Sequence, residues 1–114
     1  VPSRLFRHVR FAVLLLAAAA AAPARADDLP VIKVEMRDGV ILPAVIEVPA
    51  NTRFKLEISN TGQSPAEFES TELKREKALA AGSTSAIVFR TLDAGTYQVF
   101  DDFHPEAKAT LVAK

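Results

Sequence analysis

The sequence predicts an all-β sandwich, and three observations point to it. Several segments alternate apolar and polar residues with a period of two, turn-forming residues separate them at short intervals, and helical signals are scarce after residue 26. Residues 53–59 are the clearest case. Phe54, Leu56 and Ile58 point one way while Arg53, Lys55, Glu57 and Ser59 point the other, the pattern of a half-buried strand.

The other elements follow in chain order. Val31–Arg37 repeats the alternation, with Ile32, Val34 and Met36 against Lys33, Glu35 and Arg37, which puts Met36 in the core phase. Asp38-Gly39 is turn chemistry and separates that strand from Val40–Leu42. Val45–Val48 is β-branched and ends at Pro49-Ala50-Asn51, and Asn60-Thr61-Gly62 ends the best strand. Residues 85–89, 97–100 and 110–113 are further short strands, introduced by Ala81-Gly82-Ser83 and Asp93-Ala94-Gly95. Tyr97 and Phe100 read as packing residues. Strands and turns at this spacing predict an antiparallel sandwich or barrel. Residues 67–79 (EFESTELKREKAL) leave two readings open, a short helical turn or an irregular crossover.

Residues 1–26 have the layout of a secretory signal. Arg4, Arg7 and Arg10 precede an apolar run of 12 residues, 11–22, and Ala24-Arg25-Ala26 supplies small residues for cleavage. A membrane-spanning helix needs roughly 20 apolar residues, so the run is short for an anchor. The expectation is a cleaved leader and one 88-residue domain, residues 27–114, that is periplasmic and does not itself span the membrane. Four basic residues and no acids lie in the leader, so the domain has 10 basic and 14 acidic residues, a net of −4. Such a domain is a poor partner for nucleic acid or anionic lipid and suits cations better. With no cysteine, the core carries its stability without disulfides.

Residues 43–60 (PAVIEVPANTRFKLEISN) resemble the opening of the cupredoxin fold, with Asn51 where the family pattern has glycine. Asn tolerates the positive φ of such a turn. Residues 65–70 (PAEFES) and 72–77 (ELKREK), with 92–97 (LDAGTY) and 100–106 (FDDFHPE), are similar to the cupredoxin-like periplasmic components of bacterial iron uptake, the EfeO-type domains and the cupredoxins that accompany Ftr-type iron permeases. The resemblance implies a Greek-key β-sandwich that serves an iron permease and other periplasmic uptake components. It also implies handling of iron or copper, with assistance to ferrous iron oxidation. One departure stands out. Those domains commonly carry a cysteine shortly after the Gly-x-Tyr strand, where this chain reads Asp101-Asp102.

The donor inventory limits the metal chemistry. A type 1 blue-copper centre needs two imidazoles and a thiolate. After residue 26 the chain has one histidine, His104, one methionine, Met36, and no cysteine, so that centre is excluded. Oxygen donors remain. Glu67, Glu69 and Glu72 lie in one block and Asp101, Asp102 and His104 in another, with the membership of Glu76 and Glu106 left open. Brought together at one end of the sandwich, as the resemblance suggests, they would form a carboxylate-rich site with one imidazole, suited to an iron or copper ion. In an extended segment Glu67 and Glu69 share a face with Phe68 turned to the core, and Asp102 and His104 have the same spacing around Phe103. Lys74, Arg75 and Lys77 offer the competing reading of a solvated, ion-paired surface. A metal-free docking module for a periplasmic or membrane partner is the alternative function. The lone histidine shows no Ser/His/Asp context in the sequence, though spacing alone does not exclude one.

Overall fold

The computed structural model describes residues 28–114, so the leader assigned to residues 1–26 lies outside the described residues. Nine strands account for most of them: β1 (Val31–Arg37), β2 (Val40–Leu42), β3 (Val45–Val48), β4 (Phe54–Asn60), β5 (Ala66–Ser70), β6 (Arg75–Leu79), β7 (Thr84–Phe89), β8 (Gly95–Asp101) and β9 (His104–Ala113). They form two sheets, with strand orders β2-β1-β4-β7 and β3-β9-β8-β5-β6. The all-β sandwich expectation holds. Among the described residues no helix is long and apolar enough to cross a membrane.

Alternation decides which side chains fill the space between the sheets. Phe54, Leu56, Ile58 and Asn60 of β4 are all buried, and Met36 is buried as its phase predicts. Phe54 pairs with Phe89 across β4 and β7, and their rings stack with centroids 5.0 Å apart. Each such ring removed from water stabilises the fold by about 1.5–3 kcal/mol, which gives a small disulfide-free domain its core.

Three features depart from the sequence reading. First, the sandwich is mixed rather than antiparallel: β1 runs parallel to β4, and β3 parallel to β9. The chain leaves the first sheet at Leu42 and enters the second as β3, so on its return β4 lies beside β1 in the same direction. Second, residues 67–79 form neither a helical turn nor an irregular crossover but a β-hairpin, β5–β6, whose turn places Lys74 at φ 53°. Edge strand β6 buries only Leu79, so nothing in it shows a period of two. Third, β9 begins at His104, so Asp102 and Phe103 are the loop of a tight hairpin between Asp101 and His104. The expected extended spacing of Asp102 and His104 is therefore absent. Phe103, in that loop, is 50% exposed.

The turns are built as their residues predict. Asp38 and Gly39 take φ 41° and 86°, the two positive values of a tight two-residue hairpin loop, and Asn51 takes φ 55°. Buried Asn60 shapes the loop after β4. Its Nδ2 donates to the carbonyls of Ser64 (2.9 Å) and Leu79 (3.1 Å), and its Oδ1 accepts from the Gly62 N–H (3.0 Å). Gly62 packs so closely on the β1–β2 turn that a Cβ there would lie 2.7 Å from Asp38 Oδ1. These contacts bring Ser64 to the start of β9.

Candidate functional site

The β5 side chains alternate as expected, with Phe68 fully buried and Glu67 and Glu69 half-buried on the outer face of the sheet. The β5–β6 register sets Glu69 directly opposite Glu76. The result is a group of three carboxylates, Glu67, Glu69 and Glu76, each offering an oxygen within 4.8 Å of the others. Both β5 glutamates hold their protons to higher pH than usual. For Glu67 the causes are partial burial, then the charges of Asp102, Glu76 and Glu69, with a hydrogen bond to Glu76 favouring the protonated form. For Glu69 they are partial burial and then the charges of Asp102 and Glu76. Asp102 thus flanks the group electrostatically. Among the described residues no ion pair joins these acids to Lys74, Arg75 or Lys77. Arg75 turns to β7 instead, donating to the Val88 carbonyl (3.2 Å) and lying 4.9 Å from the Phe89 ring centroid.

Glu72, Asp101 and His104 are not part of that group. β5 ends at Ser70 while β8 continues, and Glu72 fills the gap: its Oε1 accepts the backbone N–H of Gln98 (2.9 Å). Asp101, 2% exposed, turns inward with its register partner Phe68. Its Oδ1 accepts the N–H groups of Glu67 (2.9 Å) and Phe103 (3.0 Å), and its Oδ2 pairs with His104 Nδ1 (2.9 Å). Glu106 is elsewhere, its Oε1 against Gly39.

Two residues outside the expected donor set, Asp38 and Ser64, complete this second cluster. His104 Nε2 faces Ser64 Oγ at 3.4 Å, and Ser64 Oγ donates to Asp38 Oδ1 (2.9 Å). Asp38 holds its charge to lower pH than usual, chiefly through that hydroxyl and then through the Gln63 N–H, with partial burial opposing and the Ser64 N–H and the nearby His104 ring adding to it. Asp38 carried a signal in its Asp-Gly turn. Ser64 carried none. Acid, imidazole and hydroxyl stand in the order of a hydrolase triad, but the serine proton is directed to Asp38 and the Ser64–His104 separation exceeds the roughly 2.6–3.2 Å of proton transfer.

Comparison with known proteins places this sandwich. The chain matches the cupredoxin-like domain family over residues 10–113. It belongs to that family. A protein of Rickettsia prowazekii (strain Madrid E) is 34% identical over 80 residues, covering 70% of this chain and 64% of the relative, so the chain spans less than two thirds of that relative's length. Two solved structures share the fold at 12% identity. One is reduced auracyanin from Roseiflexus castenholzii (TM-score 0.63, 74% of this chain and 96% of that one). The other is the metal-binding domain of the Streptococcus pneumoniae Cu(I)-exporting P-type ATPase CopA with Cu(I) (TM-score 0.67, 80% and 91%).

The donors of this cupredoxin-like domain do not fit a blue-copper ion. There is no thiolate, and both oxygens of Asp101 are taken by hydrogen bonds. His104 Nδ1 is likewise occupied. The carboxylate group fits a different chemistry, since several oxygens that no lysine or arginine pairs with among the described residues suit a hard cation.

Proposed function

We propose that this cupredoxin-like domain works in the periplasm, after removal of its leader, as an accessory of iron uptake that holds the metal as cargo on the outer face of β5 and β6. The observation that carries the proposal is the convergence of Glu67, Glu69 and Glu76, with Asp102 beside them and no ion-paired base among the described residues. Like charges held this close raise one another's proton affinity, and a cation relieves the repulsion. The fold is shared with a domain that holds Cu(I), but oxygen donors favour iron or divalent copper over monovalent copper. They also favour ferric over ferrous iron, so the same reading has the domain speed ferrous oxidation with dioxygen taking the electrons. Delivery to an iron permease rests on the resemblance of residues 65–77 and 92–106 to uptake components.

Calorimetric titration with Fe²⁺, Cu²⁺ and Mn²⁺ tests this proposal. Binding is expected at one site, tightening as pH rises through the carboxylate range because Glu67 and Glu69 must lose protons. The Glu67→Gln/Glu69→Gln/Glu76→Gln variant should lose it. No heat with any of the three ions would overturn the proposal.

A second reading is favoured by the opposite side of the sandwich. Edge strands β2 and β3 are joined there, and Val40, Leu42 and Val45 are exposed, an apolar margin suited to docking a protein partner. A metal-free protein that binds a purified permease, and loses that binding in Val45→Lys, would support it.

A further inference from the structure

We propose that Asp101 and His104 are positioning residues for the carboxylate group and not ligands within it, so that metal is held by oxygen alone. The proposal rests on the metal-site reading above. Register supplies the first argument. Residues paired across a sheet project to the same face, and Asp101 pairs with Phe68, while its Oδ2 holds His104 Nδ1 at 2.9 Å. Phe68 and Asp101 are both buried, so that face is the inner one. Glu67 and Glu69 alternate with Phe68 and project from the outer face. The inward-turned Asp101 therefore holds the imidazole, whose other nitrogen faces Ser64, while the carboxylates project from the outer face.

Hydrogen bonding supplies the second argument. The Glu67 N–H donates to Asp101 Oδ1 (2.9 Å), and its carbonyl accepts the Asp102 N–H (2.9 Å). The peptide groups on both sides of the Glu67 Cα are thus fixed to the end of β8, which sets the direction of its side chain. Asp101 is held in turn by His104 Nδ1 and the Phe103 N–H. His104 is held at its other nitrogen by Ser64, and Ser64 by Asp38. The chain Asp38–Ser64–His104–Asp101 is a latch that ends on the backbone of a carboxylate residue. It occupies the only imidazole of residues 28–114 without offering it to the outer face. Supports of this kind orient the donors that touch the ion.

The test uses Cu²⁺ as probe on the full chain carrying His8→Gln, which leaves His104 as its only imidazole. Pulsed electron paramagnetic resonance should show no imidazole nitrogen coupling to the copper. His104→Gln and Asp101→Asn should leave the donor signature unchanged while weakening binding about 10-fold, the usual loss when a support of a ligand is removed. Amide exchange at Glu67 should quicken in Asp101→Asn without metal present, a readout that a ligand role would not move. Thermal melts confirm that each variant is folded, and Ser64→Ala serves as the milder variant if either is not. Imidazole coupling in the parent that disappears in His104→Gln would overturn the proposal while leaving a metal site in place. Unchanged affinity in folded Asp101→Asn and His104→Gln would also overturn it. Absence of any Cu²⁺ binding to the parent would instead remove the metal-site reading, and this proposal with it.

Discussion

Glu67 and Asp101 are one hydrogen bond apart, yet they occupy opposite electrostatic situations. Around Asp101 the charge is spent: two N–H groups and one imidazole meet its two oxygens, and no buried side-chain nitrogen or oxygen among the described residues lacks a partner. Around Glu67 the charge is unspent, since three carboxylates and a flanking aspartate gather with no ion-paired base among the described residues. A fully satisfied polar cluster serves the fold, whereas clustered like charges oppose it and are relieved by a cation. The contrast separates support from function within a few residues of β5 and β8.

The sharpest way to break this contrast is Asp101→Ala. Losing a buried acid strands the Glu67 and Phe103 N–H groups and the His104 ring, and chemical denaturation should show a loss of about 3–5 kcal/mol. Asn60→Ala attacks the same satisfied end through the β4–β5 loop. It strands the Gly62 N–H and the Ser64 and Leu79 carbonyls, for an expected loss of about 2 kcal/mol. The acidic face should respond with the opposite sign. Glu67→Gln/Glu69→Gln removes repulsion, so the melting temperature of the metal-free protein at neutral pH should rise, an effect smaller than the two losses above.

The pH dependence sharpens the same comparison at the smallest scale. Glu67 and Glu69 bind protons more tightly folded than unfolded. The native state then carries more protons, and their contribution to stability is lost as pH rises through and just above the ordinary carboxylate range. Asp38 behaves inversely, its contribution present above that range and lost as pH falls through it. Melting curves from pH 3 to 7 should therefore gain stability near neutrality in Glu67→Gln/Glu69→Gln and lose it in Asp38→Asn.

Much of this fold was legible because most of its strands bury one face. Residues 53–59 and Val31–Arg37 show their strands through alternation alone, and the outward pairing of Glu67 and Glu69 followed from Phe68 between them. The β5–β6 hairpin was not legible, because an edge strand that buries only Leu79 has no apolar phase to read. The acids at 101 and 102 are chemically identical in the sequence, and a two-residue loop separates them into a buried latch and a surface charge. Alternation from Val99 puts Asp101 in the inward phase, a signal that the reading of Asp101 as a ligand did not use. Ser64 was invisible because its place depends on Asn60 folding a loop back on itself.

The carboxylate group as a cation site is tested most directly by Mn²⁺, an oxygen-seeking paramagnetic ion, added to the labelled protein. Amide signals of residues 66–70, 75–77 and 102 should broaden first, at less than one equivalent, and not in Glu67→Gln/Glu69→Gln/Glu76→Gln. Broadening centred on Ser64 and His104, or none at one equivalent, would contradict it.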